Sequence, residues 1–91
     1  IERPGEFERC DYEGELAVVI GRRLHRQPPS AIPSFILGYS VLNDVTVRDL
    51  QKKDVQFTRA KGFDTFCPLG PAIATHFDVQ ALKLTRIHSQ R

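Results

Sequence analysis

Glu13-Gly14-Glu15-Leu16-Ala17-Val18-Val19-Ile20-Gly21 is the stretch on which the fold turns. Leu16 to Ile20 are apolar without a break and rich in β-branched side chains, which suit a pleated surface. The pattern predicts a strand over residues 15–24, buried on both faces. In a strand, residues i and i+2 share a face about 6.5–7 Å apart. Glu13 and Glu15 therefore aim two carboxylates at one point. On its own such a pair reads as a solvated sheet face. A second stretch changes the reading: Asn43-Asp44-Val45-Thr46-Val47-Arg48-Asp49 brings a third carboxylate, Asp44, if it packs beside the first strand. Three converging carboxylates repel one another unless positive charge sits between them. A hard divalent cation with oxygen ligands is the simplest answer.

Working outward, residues 1–10 are polar and irregular, and residues 27–30 form a Pro-rich loop. Residues 31–37 suit a short helical turn limited by Pro33. Residues 38–43 read as a second strand. Thr46 is placed to cap a helix over residues 47–53, with Asp49 three residues on as its capping-box partner. Arg48 and Gln51 share a face of that helix. Residues 54–71 read as one long loop rich in Gly, Pro and aromatics, and long ordered loops in compact domains are usually functional. Residues 72–75 and 81–87 read as further strands.

Composition excludes several classes. The chain has 91 residues, enough for one small domain at most, with 41% hydrophobic and 26% charged residues. The net charge of +2 is spread out, except at Arg22-Arg23-Leu24-His25-Arg26 and Lys52-Lys53. A nucleic-acid footprint would be denser and interleaved with aromatics, so no nucleic-acid partner is expected. No apolar run approaches the roughly 18 residues of a membrane helix, and no signal-peptide core is visible, so no membrane partner is expected either. Cys10 and Cys67 lack a zinc-type spacing, and Cys67 reads as a small packed residue. Two such cysteines fit a reducing, cytoplasmic setting. His25, His76 and His88 are isolated and read as surface or strand-end residues rather than ligands. The first residue is Ile1, and residues 82–88 alternate like a strand and then stop. Both features read as those of an internal segment of a longer enzyme.

Taken together, residues 11–21, Gly38-Tyr39, residues 43–51 and residues 59–71 resemble the fumarylacetoacetate hydrolase family, in particular its acylpyruvate hydrolase and hydroxyheptadienedioate isomerase branches. Each block alone is a modest signal; their order and spacing together are specific. The resemblance implies an α+β, mainly β fold with the mixed β-sheet of the family's C-terminal domain, incomplete here. Residues 1–91 would be a partial catalytic domain lacking the upstream lid and the C-terminal part. It implies a metal-dependent hydrolase or isomerase of aromatic catabolism acting on small anionic 2-oxo acids or 1,3-dicarbonyl substrates. The outcomes known in the family are C–C bond hydrolysis of acylpyruvates, keto–enol isomerisation and decarboxylation through a metal-chelated enolate. Glu13, Glu15 and Asp44 match its metal ligands for Mg²⁺ or Mn²⁺, with Ca²⁺ as a further option. Lys61 matches its active-site lysine. Arg48 and Lys61 are thus the catalytic candidates, and Arg48, Gln51 and Lys61 the substrate-binding ones. A homodimer is implied for the full-length protein. The family's general-base His, upstream of the first acidic motif, has no counterpart in these residues, so the isolated segment is expected to be inactive. The competing reading is a non-catalytic binding or structural module that keeps the family scaffold.

Overall fold

The computed structural model describes residues 1–76 and 78–81. Two small sheets and two short helices make up an α+β, mainly β arrangement, as expected. Strand β2 (Gly14–Ile20) pairs antiparallel with β3 (Ile36–Asn43), from Gly14↔Asn43 to Ile20↔Ile36, with a register shift between Val19 and Ile20. The connection between them carries a 3₁₀ segment, Pro29–Phe35, where the helical turn was expected. The Gly21 N–H donates to the Phe35 carbonyl at 2.8 Å and closes this connection. Strand β5 (Leu69–Ala74) pairs antiparallel with the other edge of β3, giving the order β2-β3-β5. Gly38 is required by that pairing: a Cβ there would stand 2.4 Å from the Ala74 carbonyl oxygen.

The second sheet is minimal. Strand β1 (Cys10–Asp11) pairs with β4 (Thr46–Val47), in the register Cys10↔Val47 and Asp11↔Thr46. β4 runs directly into helix α1 (Arg48–Lys53), and α2 (Thr58–Lys61) follows. Around this corner sits the core: Val47 and Ala60 fully buried, Leu50 nearly so, with Phe7, Cys10, Phe63 and Phe66 packed against them. Phe63 holds Phe7 and Phe66 in tilted ring contacts at 5.7 and 5.5 Å between centroids.

Several expectations need correction. The first strand ends at Ile20 rather than at residue 24. It is not buried on both faces, since Val18 and Ile20 stay about half exposed among the described residues. Thr46 does not cap α1. It is a β4 residue whose hydroxyl donates to the Asp44 carbonyl at 3.0 Å, and the N-cap position falls on Val47, without a side-chain bond. The Asp49 carboxylate reaches the backbone N–H groups of Glu8 and Arg9 at 2.9 and 3.1 Å. These bonds hold its carboxyl below the usual carboxylate range. The long loop is interrupted by α2, and β5 starts within its last residues. Cys67 is exposed, not packed, on a backbone with φ of 61°. The strand expected from residue 81 lies, beyond Ala81, outside the described residues, as does His88; Ala81 itself ends a 3₁₀ turn, Val79–Ala81.

Candidate metal centre

The three acidic residues meet because β2 and the β3–β4 connection are tied together at one end of the sheet. The Glu13 N–H donates to the Asn43 side-chain carbonyl at 3.0 Å, and the Asp44 N–H donates to the Glu13 carbonyl at 2.8 Å. Register then does the rest. Gly14 stands opposite Asn43, so Glu13 and Glu15 flank the point where the chain leaves β3 for Asp44. One carboxylate oxygen from each of Glu13, Glu15 and Asp44 lies within 4.8 Å of the others. Glu15 is exposed; Glu13 and Asp44 are partly buried. The sequence argument set both glutamates on one strand; β2 begins at Gly14, so only Glu15 lies in it, and Glu13 is held just before it by the Asn43 side chain, a bond the sequence argument did not foresee.

Positive charge reaches the trio from the corner. The Lys61 ammonium, at the end of α2, contacts the Asp44 carboxylate directly and lies 3.6 Å from Glu13 Oε2. The Asp44 bond is the main cause holding the Lys61 pKa above its ordinary value, against a smaller opposing effect of burial. Arg48, at the start of α1, donates from Nη2 to Glu13 Oε1, from Nη1 to Gln51 Oε1 at 2.8 Å and from Nε to Asp11 Oδ2 at 2.9 Å. The Asp11 and Glu13 bonds raise its pKa, in that order of size. The bond from Arg48, with that from Arg9 in second place, holds the Asp11 carboxyl below the usual range. All six sequence-derived site residues are therefore in one cluster. Their side chains are neither sealed nor free: Arg48, Lys61, Asp44 and Glu13 keep 22–30% of their surface. A small ligand can reach such groups, while an isolated ion pair among them contributes little to stability.

Asp11 is the residue that sequence reasoning missed. Its only signal was its place in the run Asp11-Tyr12-Glu13 that leads into the first strand, and its partner Arg48 lies 37 positions away. The segment after Lys61 carries a further mark. Thr65 and Cys67 both adopt positive φ, 68° and 61°, where non-glycine residues are uncommon. Thr65 Oγ1 accepts the Glu2 N–H at 2.6 Å. Between Glu2, Arg3 and Pro4 on one side and Gly62, Phe63 and Asp64 on the other, a cleft of about 350 Å³ opens next to the end of α2. His25 and His76 are exposed, as expected.

The donor set can be tested against a hard cation. Oxygen ligands of one Mg²⁺ stand about 3–4 Å apart, and those of Ca²⁺ up to about 5 Å. The oxygens of Glu13, Glu15 and Asp44, within 4.8 Å of one another, meet the wider span; a smaller ion would have to draw them together. All three are carboxylate oxygens, the donors such ions prefer.

Comparisons with known proteins agree with this fold. A sequence profile of the family described as fumarylacetoacetate (FAA) hydrolase C-terminal matches residues 1–90. The chain is 51% identical over 84 residues to an uncharacterized protein of Methanocaldococcus jannaschii, covering 92% of this chain and 35% of that protein. It is 40% identical over 82 residues to the oxaloacetate tautomerase YisK of Bacillus subtilis, covering 90% of this chain and 27% of that protein. Its fold matches the crystal structure of 5-carboxymethyl-2-hydroxymuconate delta-isomerase from Mycobacterium smegmatis with a TM-score of 0.82 and 52% identity, over 86% of this chain and 31% of that one. The chain belongs to the fumarylacetoacetate hydrolase family and spans about a third of the length of these relatives.

Proposed function

We propose that the protein is a divalent-cation-dependent hydrolase or isomerase of small 2-oxo acids or 1,3-dicarbonyl compounds, working through an enolate. The observation that carries this reading is the convergence of the Glu13, Glu15 and Asp44 carboxylates beside the Lys61 ammonium. The names of the relatives support it, since keto–enol interconversion of oxaloacetate is a reaction of a 2-oxo acid. Glu13, Glu15 and Asp44 would hold Mg²⁺ or Mn²⁺, with Ca²⁺ as a further option. Bound there, the ion would supply Lewis-acid polarisation of the 2-oxo oxygen.

The remaining chemistry falls to the chain's own groups. Three carboxylates outweigh a divalent charge, which would disfavour an anionic substrate. Lys61 and Arg48 offset that excess. The Lys61 ammonium, raised in pKa and so charged at neutral pH, is placed to stabilise negative charge developing on an enolate oxygen. Arg48 holds one Glu13 oxygen and the Gln51 carbonyl oxygen. This turns the Gln51 amide so that its NH₂ is the end offered to substrate or water. The reading extends to a cytoplasmic homodimer: the thiols of Cys10 and Cys67 are free, as a reducing compartment favours, and the dimer follows from family resemblance. Among the described residues no helix is long and apolar enough to cross a membrane.

Titration calorimetry with Mg²⁺ and Mn²⁺ tests the site. Glu13→Ala, Glu15→Ala and Asp44→Ala should each weaken affinity about 10-fold or more, since each removes one of few anionic ligands. Wild-type affinity in all three variants would remove the proposed centre. Loss of enol absorbance in the ultraviolet, followed with acylpyruvates and with oxaloacetate, then separates an enzyme from a scaffold that only binds.

A further inference from the structure

Asp11 has no place in the chemistry above, yet its carboxylate sits at the root of the cluster. It belongs to β1 and stands opposite Thr46 in β4, two residues before Arg48. The same two segments are stitched at four further points. The Arg48 N–H donates to the Arg9 carbonyl at 2.9 Å, Cys10 pairs with Val47, and the Asp49 carboxylate receives the N–H groups of Glu8 and Arg9. The backbone therefore delivers Asp11 to the Arg48 side chain at a fixed distance. Its Oδ2 takes the Arg48 Nε–H at 2.9 Å, and Arg9 Nη2 stands 3.0 Å from the same oxygen. A guanidinium is planar, so a bond that anchors Nε narrows the orientations of the plane and with it the directions open to both Nη groups. One of these points at Glu13, the other at Gln51.

We infer that Asp11 is a positioning residue: by locking the plane of Arg48 it sets the orientation of the Glu13 carboxylate, and hence the geometry of the acidic trio. This rests on the reading of Glu13, Glu15 and Asp44 as a cation site. Groups that orient a ligand from behind commonly govern affinity about as strongly as a weak ligand does, near 10–100-fold. An exposed salt bridge without that role would leave affinity unchanged.

The test uses the whole protein with Mn²⁺ as probe. Asp11→Asn keeps the shape and removes the charge. It should weaken Mn²⁺ affinity by about 10-fold in calorimetry. Asp11→Glu should restore part of the loss. Asp54→Asn breaks a bidentate Asp–Arg pair, with Arg59, that shares no bond with the trio, and should change nothing in Mn²⁺ affinity. Protection of the Arg48 Nε–H against solvent exchange, followed by ¹⁵N NMR, gives a second readout free of metal. It should be high in the wild type and lost in Asp11→Ala, which has no side-chain oxygen to accept it. Unchanged Mn²⁺ affinity in a folded Asp11→Asn protein overturns the inference. A wild type that binds no Mn²⁺ removes the cation site instead, and the inference falls with it in respect of affinity; an Arg48 Nε–H still protected in Asp11→Ala removes the positioning role by itself.

Discussion

The corner built from β1, β4, α1 and α2 and the three-stranded sheet β2-β3-β5 treat apolar residues in opposite ways. The corner has the shorter elements, two to six residues each, yet it contains Val47, Leu50 and Ala60, all buried, and a cluster of phenylalanines. The sheet has the longer and more hydrophobic strands. Its Val18, Ile20, Leu37, Val41, Leu69 and Ile73 nevertheless remain 45–57% exposed. Hydrophobicity in a sequence is a capacity for burial, and what realises it is a second layer. In the corner, a helix and an aromatic cluster close over β4. The difference matters because the acidic trio lies on the seam. The sheet contributes Glu15, the residue just before it Glu13, the β3–β4 connection Asp44, and the corner both cations, Arg48 and Lys61.

If the corner is where stability resides, truncating it should have the largest effect. Leu50→Ala removes a buried side chain from among Val47, Ala60 and the aromatics. It should destabilise by about 2–5 kcal/mol in denaturant unfolding. A loss below about 1 kcal/mol would break the comparison.

Lys61→Ala attacks the corner's electrostatic contribution rather than its packing. Turnover should fall on the order of 10²-fold, because a charge placed for the enolate is removed. Mn²⁺ affinity should hold or improve slightly, since a cation beside Asp44 is gone. Turnover within a few-fold of wild type would return Lys61 to an ordinary loop lysine.

The pH dependence sharpens the same contrast, because the depressed carboxyls Asp11, Asp49 and Asp54 all lie in or against the corner. A carboxyl whose folded pKa is lowered adds stability above its unfolded value, about 3.9. That contribution is lost as pH falls through the folded pKa. Thermal midpoints should therefore drop below about pH 4, and Asp49→Asn should flatten that drop. Equal acid sensitivity in wild type and Asp49→Asn would mean the bonds to Glu8 and Arg9 carry no weight.

The smallest effect belongs to the sheet. Val18→Thr exchanges one β-branched residue for another at a half-exposed position. It should shift stability by no more than about 0.5 kcal/mol. A cost above about 1 kcal/mol in the whole protein would show that a further layer covers this face.

The sequence by itself determined the local matters. The shared face of Arg48 and Gln51 on one helical turn and a strand over Leu16 to Ile20 follow from short-range periodicity, which depends only on backbone geometry; Glu13, expected on that strand, lies just before it. The order of the family blocks added the third carboxylate and the lysine. Tertiary structure alone decided the rest. Thr46 went into a strand because Asp11 offered it a partner there, and Asp49 turned to Glu8 and Arg9 because backbone donors 40 positions away came within reach. Asp11 found Arg48, and Lys61 found Asp44, for the same reason: charge pairs between distant segments depend on which strands lie side by side, and no spacing along a chain records that. Burial likewise depends on what stands opposite a residue, so the most apolar strand remained half exposed while a two-residue strand became the core.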